Sequence, residues 1–444
     1  MKTPMPPPTP YAQFEHDMLR TASPEAILRL LSAKVVEPEG YVDWEWIRYH
    51  RPPEGFTREE WWLLLRGQRV RTAKSTPFTL VDGTPITWNY PDSLWKLTDE
   101  ITAQARGTLE LPQGLERLER PRHYLVSSLI EEAITSSQME GASTSRVRAK
   151  EMLQEGQKPR DRSEQMILNN YEVMTWLREV KEQPLSADLV FEIHRRITAQ
   201  TMGDPSEAGR LQQPGEERVR IYGDQGQEQI LHIPPPAEEL PQRLETLCAF
   251  ANGGGDGYMP PLLRAITVHF MMGHDHYFVD GNGRTARAVF YWLLLNQGFF
   301  LAEYLSISRL LRRAPAQYAR SFLLTEQDEG DLTHFLLFHA QIVSKAIDEL
   351  HKYVARRAKD QRDIIEVLQH SDVNLRQMAL LKQMVVGEIS GVDVSFYRQN
   401  FGVAPQTART DLHDLVEKGF LIQRSDGRRH YWIPDPNLGR RLKW

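Results

Sequence analysis

Twelve consecutive residues, 276–287, read His-Tyr-Phe-Val-Asp-Gly-Asn-Gly-Arg-Thr-Ala-Arg, and their types and order suit the handling of a polyphosphate. Gly281 and Gly283 carry no Cβ, so the backbone there can curl and come close to a ligand. Asn282 between them tolerates left-handed dihedrals and can donate a hydrogen bond. From Arg284 to Leu295 the apolar residues recur with helical spacing, so the loop opens a helix. Free amides at a helix N-terminus attract anions, and the helix dipole adds to the pull. Arg284 and Arg287 stand three apart in the first turn, on roughly one face. Two guanidinium forks beside an amide nest suit a polyphosphate better than a single carboxylate.

Asp280 sits at the mouth of that nest. A carboxylate among phosphate donors repels the ligand unless a cation intervenes, which points to Mg²⁺ shared between Asp280 and the phosphates. His276 precedes the loop and can act as a general base, because an unperturbed imidazole titrates near neutrality. Phe278 is expected to anchor the loop in the core. Each residue alone is ordinary; a base, an acid, a nest and two arginines in one window are specific.

At these positions the sequence resembles the Fic family, whose signature is His-x-Phe-x-Asp/Glu-Gly-Asn-Gly-Arg-x-x-Arg. Every specified position is present, with Tyr277 where the family often has proline. The resemblance implies a mainly α-helical fold with a β-hairpin flap. It also implies transfer of AMP from ATP to a Ser, Thr or Tyr hydroxyl of a protein, with His276 as base and Asp280 on Mg²⁺. Gly281, Asn282 and Gly283 would hold the α- and β-phosphates, with Thr285 among the nucleotide-binding residues, Arg284 on the β-phosphate and Arg287 on the γ-phosphate. The second arginine matches the nucleotidyl-transferring members rather than the Doc-type kinases. Tyr318 falls where the family has a tyrosine pair near the adenine, with Ala319 in place of the second.

Two further stretches extend the resemblance. Ser136-Ser137-Gln138-Met139-Glu140-Gly141 is similar to the family's inhibitory motif, in which Ser136 and Glu140 are the specified positions. It implies that Glu140 pairs with Arg287 and takes the place of the γ-phosphate. Its bland counterpart is a helix end capped by Gly141. Residues 218–233 carry Val219 and Ile221, a Gly223-Asp224-Gln225-Gly226 turn, then Ile230, Leu231 and Ile233, the pattern of a β-hairpin. Pro234-Pro235-Pro236 ends it. This hairpin is similar to the flap that docks a target protein by strand addition, with Ile221, Leu231 and Ile233 as flap residues. Leu189 to Arg210, with His194 and Gly209, looks like the helix and loop that precede it.

The elements that position these residues are mostly helices. Periodic apolar residues mark Ile130–Met139, Met166–Val180, Leu189–Thr198 and Leu240–Phe250. Residues 112–350 are expected to form the catalytic domain, with a linker over Pro112–Pro121. Residues 1–111 form an accessory region rich in tryptophan (Trp44, Trp46, Trp61, Trp62, Trp88, Trp95). Residues 351–444 read as a winged helix-turn-helix: helices Val394–Phe401 and Pro405–Lys418, then strands Phe420–Gln423 and His430–Ile433 around a wing at Ser425-Asp426-Gly427.

A chain of 444 residues with 41% hydrophobic and 25% charged residues is normal for a globular protein of two or three domains. A net charge of −5 gives no overall attraction to nucleic acid or to acidic membranes. The single cysteine, Cys248, rules out a disulfide framework within the chain and reads as a small buried hydrophobe. The proline-rich first ten residues do not read as a signal peptide, and the run Ala288–Leu295 is too short to span a bilayer, so a cytoplasmic protein is expected. Rival readings are removal of AMP, transfer of UMP or phosphocholine on the same fold, and DNA binding by the tail. Residues 371–444 hold eleven Lys/Arg against eight Asp/Glu, with Arg424, Arg428 and Arg429 beside the wing, but Asp411, Asp414 and Glu417 on the second helix oppose phosphate contact. A target protein at the flap and a homo-oligomer through the front region or the tail are the expected partners.

Overall fold

The computed structural model describes residues 3–7, 9–21, 23–33, 38–106, 121–222, 230–255, 257–369, 372–385, 389, 391–426 and 429–436. Residues 112–120 of the expected linker and the Gly223–Gly226 turn of the hairpin lie outside the described residues. The chain divides into two compact units: Met1–Thr108 with Ser128–Ile347, and Leu109–Ser127 with Asp348–Trp444. Among the described residues no helix is long and apolar enough to cross a membrane.

The first unit is built round two helices, Pro261–Asp275 and Asn282–Asn296, packed along one another. Proline opens the first of them, where its missing N–H costs nothing. Both are apolar on nearly every face: Leu262, Leu263, Ile266 and Phe270 of one and Val289, Phe290, Trp292 and Leu293 of the other are buried. A helix of that kind belongs inside a helical layer rather than on its surface. Arg162–Leu177 and Ala187–Thr198 pack against the second. Each is capped by a side chain accepting from its first turn, Asp161 from the Glu164 amide at 2.8 Å and Ser186 from the Leu189 amide at 3.2 Å. The motif loop 276–281 is therefore the connection between the two central helices, and its ends are fixed. Cys248 is buried in Leu240–Ala251, and burial pushes its thiol up to about 12, which leaves it inert as a nucleophile.

The tryptophan-rich front region shares this unit. Val42, Trp44, Ile47, Trp61, Trp62 and Leu65 form a small core of their own, and Trp88 is buried on the hairpin of Lys74–Thr79 and Pro85–Trp88. Trp95 stays exposed. Polar contacts carry the region onto the helices behind: Thr87 bridges to Asp331, and Arg320 pairs with Asp43 at 2.5 Å and Glu45 at 2.7 Å. Arg66 is buried between Asp328 (3.0 Å) and Asp331 (3.3 Å). Removing one partner of a buried ion pair strands the others' charge. Arg66→Ala is expected to lower unfolding stability by about 3–5 kcal/mol, read by denaturant melts.

The second unit has its own core of Leu380, Leu381, Tyr397, Leu412, Leu415 and Trp432. Helices Leu375–Val385, Val394–Phe401 and Pro405–Glu417 are followed by the antiparallel pair Leu421–Asp426 and Arg429–Pro434. Gly402, at φ 63°, ends the middle helix in the left-handed conformation that permits the tight turn. The acidity of the Pro405–Glu417 helix is largely internal. Asp411 is buried and accepts from Asn374 (2.8 Å), Arg376 (2.9 Å) and Tyr397 (3.0 Å), while Asp414 accepts from Gln377 (2.7 Å) and Lys418 (2.8 Å). Two of the three acids weighed against phosphate contact are thus neutralised within the unit. Arg428 lies outside the described residues.

Candidate active site

His276 ends the helix Pro261–Asp275 in the left-handed region, at φ 48°, a conformation uncommon for a residue with a side chain. Its Nδ1 is 2.5 Å from the carbonyl oxygen of Gly273 and must donate to it, so in the neutral ring the lone pair sits on Nε2. Burial holds its pKa down at about 4, so the ring is neutral, with its lone pair free, across physiological pH. The next turns of the loop are locked from within. Asn282 accepts from the Phe278 amide at 2.9 Å and donates to the Phe278 carbonyl at 2.6 Å, so both ends of its amide bind the loop itself. Phe278 is fully buried and stacks on His194, rings 3.7 Å apart and 6° from parallel.

His194 is a positioning residue that sequence reasoning left without a role. Its Nδ1 accepts from the Gly209 amide at 2.8 Å, so its Nε2–H donates to the Asp280 carbonyl at 2.8 Å. It joins three segments, and burial keeps it neutral, with a pKa of about 4. Gly281, at φ 83°, is the N-cap of Asn282–Asn296 and has no side chain with which to cap the first-turn amides. A Cβ there would come within 2.7 Å of Thr198 Cγ2, so the position requires glycine for packing as well as for backbone angle.

The arginines diverge in environment. Arg284 is 1% exposed, donates to the Ile197 carbonyl at 3.2 Å, and keeps a buried Nε with no hydrogen-bond partner among the described residues. Arg287 is buried and gives two bonds to Ser136, Nε to Oγ and Nη2 to the carbonyl oxygen, both at 2.9 Å. Its Nη2 also pairs with Glu140 Oε1 at 2.9 Å. Burial alone would pull the Arg287 pKa down, and the nearby Glu140, Tyr318 and Glu132, Glu140 foremost, more than restore it. The same carboxylate lies over Gly283: a Cβ on Gly283 would overlap Glu140 Oε1. Glu140 therefore occupies the mouth of the helix N-terminus as an anion would. It comes from the turn after helix Pro121–Met139.

Asp280 is half-exposed. Its Oδ1 accepts from the Gly281 amide at 2.6 Å and lies 3.9 Å from Arg284, while Oδ2 pairs with Arg162 at 3.1 Å. Among the described residues Asp280 is not gathered with other metal-ligating side chains, so it could supply one oxygen to a cation and the ligand the rest. Thr285 is placed behind the nest rather than in it. It is fully buried, and its amide (3.0 Å) and hydroxyl (2.9 Å) both go to the Gly281 carbonyl. Thr285→Val is expected to lose about 1 kcal/mol of stability, measured by denaturant melts, with nucleotide affinity unchanged.

A cleft of ≈ 230 Å³, open to solvent, runs from Glu140, Gly283 and Arg287 past His276 to Tyr318 and Phe322. Tyr318 is held by His269, whose Nε2 is 3.0 Å from its hydroxyl, and burial raises its pKa to about 12. The hairpin is shorter than the sequence suggested: Ile221–Tyr222 pairs with Ile230–His232. Ile221 and Leu231 line the cleft, whereas Ile233 falls beyond the strand and is 50% exposed. Arg218 ties the hairpin's base to the end of the preceding helix, donating to the carbonyls of Pro235 (2.8 Å) and Asp275 (2.6 Å).

Fold and site together define a helical protein with a glycine loop opening a helix, a buried arginine pair and a neutral histidine around one cleft. Residues 184–294 match the Fic/DOC family model. It is 25% identical over 168 residues to the protein adenylyltransferase Fic of Nematostella vectensis, covering 38% of this chain and 34% of that one. To the protein of the same description from Drosophila mojavensis it is 29% identical over 159 residues, covering 36% and 28%. The chain thus spans about a third of the length of these curated relatives. A Fic family protein from Desulfovibrio desulfuricans G20 has a similar crystal structure, with TM-score 0.53 and 18% identity over 81% of this chain and 98% of that one.

Proposed function

We propose that the protein transfers AMP from ATP to a hydroxyl side chain of a protein, with Glu140 as a built-in brake. The observation that carries the reading is the carboxylate of Glu140 seated on Arg287 and against Gly283, where an anionic group meets both the helix N-terminus and a buried guanidinium. What supports a triphosphate as the natural occupant is the supply of donors: uncapped first-turn amides, the orphaned Nε of Arg284 and the Arg287 fork. The curated relatives bearing the description protein adenylyltransferase point the same way.

In this reading the first-turn amides of Asn282–Asn296 and Arg284 grip the α- and β-phosphates, and Arg287 meets the γ-phosphate once Glu140 has moved aside. Nε2 of His276 takes the proton from the acceptor hydroxyl of a Ser, Thr or Tyr. The freed oxygen attacks the α-phosphorus, the bond from that phosphorus to the bridging oxygen breaks, and pyrophosphate leaves. Magnesium, held by Asp280 after Arg162 releases it, would neutralise phosphate charge. Ile221 and Leu231 line the side on which a target segment would lie along the hairpin, and the adenine would fall toward Tyr318. With Glu140 in place the γ-phosphate is excluded and the α-phosphate is held out of line.

The test is incubation of the protein and candidate acceptors, itself included, with ATP, UTP or CDP-choline, and separately of an AMP-modified protein with buffer alone. AMP adducts and pyrophosphate are expected with ATP; loss of AMP from the modified protein as the only reaction would replace transfer by removal. For the second unit, the internal pairing of Asp411 and Asp414, with Arg398, Arg409 and Arg424 exposed, favours a nucleic-acid contact in addition. A gel shift that weakens as salt rises is the expected result, and no shift at low salt would remove it.

A further inference from the structure

A second cluster lies at the other end of the cleft, and the reaction above uses none of it. His232 ends the flap strand Ile230–His232, His274 is in the last turn of Pro261–Asp275, and Glu326 is in the last turn of Pro315–Gln327. One nitrogen of each histidine and one carboxylate oxygen lie within 4.8 Å of one another. Both histidines are buried.

The hydrogen bonds fix which nitrogens face inward. His274 Nδ1 is 2.9 Å from Asp275 Oδ1 and donates to it, which leaves the lone pair on Nε2. That Nε2 is buried and has no hydrogen-bond partner among the described residues, on a side chain 1% exposed. His232 Nε2 is 2.7 Å from the His274 carbonyl and donates to it, which turns Nδ1 toward Glu326 Oε1 at 2.9 Å. A nitrogen lone pair facing a carboxylate oxygen at that distance requires a cation between or beside them, either a proton or a metal ion. A proton on His232 satisfies Glu326 and leaves His274 Nε2 orphaned. A metal ion satisfies all three.

We propose that His232, His274 and Glu326 form a divalent-metal site of the kind zinc takes, which clips the flap strand to the two helices beside it. Two imidazoles and one carboxylate with a fourth position open is a zinc-type donor set, and magnesium is a poor match for imidazole nitrogen. Each imidazole is oriented from behind, by the Asp275 carboxylate and by the His274 carbonyl, as metal-bound histidines are. The three ligands come from segments about 40 to 50 residues apart, so the ion would fix the strand carrying Leu231 relative to the helix that ends at His276. The inference does not depend on AMP transfer, since it concerns only what these side chains bind.

The experiment is titration of the full-length, metal-stripped protein with zinc chloride and, for its spectrum, cobalt chloride, both in excess magnesium. Expected are one equivalent of zinc per chain, tetrahedral cobalt absorption that zinc abolishes, and a melting temperature raised by zinc. Glu326→Gln, which keeps the shape of the side chain, is expected to weaken zinc at least tenfold, and His274→Ala to abolish the cobalt spectrum. The metal-free melting curve of Glu326→Gln shows that the variant is folded. No cobalt spectrum in the wild type, or zinc binding unaltered in both variants, would overturn the site and leave a protonated His232 beside Glu326.

Discussion

Replacing Glu140 with glycine is expected to raise AMP transfer about tenfold to a hundredfold. The carboxylate takes one donor of Arg287 and lies over Gly283. A hydrogen bond to a charged group contributes about 1.5–3 kcal/mol, and roughly 1.4 kcal/mol corresponds to a tenfold change in rate. Releasing that donor to a γ-phosphate gives the stated range. Arg287 itself stays in position, because Ser136 holds its Nε and Nη2 independently of Glu140. Initial rates with labelled ATP check this. A variant no faster than the wild type would mean that Glu140 is only a helix-end contact.

Removing His276 is expected to lower the transfer rate about 100- to 10,000-fold, the usual contribution of a positioned general base, while ATP affinity stays within about twofold. Its Nδ1 is committed to the Gly273 carbonyl, so only Nε2 is available, and that atom has no part in gripping phosphate. Alanine at a left-handed φ adds backbone strain, so His276→Asn is the better variant: asparagine tolerates that region and cannot serve as the base. Equilibrium binding of ATP measured beside the rate separates the two effects. Transfer undiminished in both variants would take the base role from His276.

The loop between the two central helices was legible in the sequence because its specified residues are contiguous and its Gly-Asn-Gly turn runs straight into a periodic helix. The bounds of the surrounding helices were also close, since buried helices such as Asn282–Asn296 and Ala187–Thr198 advertise themselves by apolar spacing. Spacing alone could not bring Glu140 to Arg287, 147 positions on; that expectation rested on resemblance to a short motif. Contacts between distant segments were invisible for the same reason. The clamp of His194 on the Asp280 carbonyl, the Arg162–Asp280 pair and the convergence of His232, His274 and Glu326 are products of the fold. A histidine inside the apolar face of Ala187–Thr198 was the available signal for the first of these. The hydroxyl of Thr285 reads from the sequence as a phosphate ligand, and its bond to the Gly281 carbonyl is visible only in the fold. The tail's second helix looked acidic because sequence counts charges without showing that Arg376 and Lys418 cancel them.

The claim at the centre is that this cleft splits ATP between its α- and β-phosphorus and passes the nucleotide half to a hydroxyl. Incubating Glu140→Gly protein with ATP labelled at either the α- or the γ-phosphorus tests it in one gel. The account predicts that α-label becomes covalently attached to protein, that γ-label leaves as pyrophosphate, and that adding the His276→Asn change abolishes attachment. Attachment of the γ-label, or of neither, would contradict it.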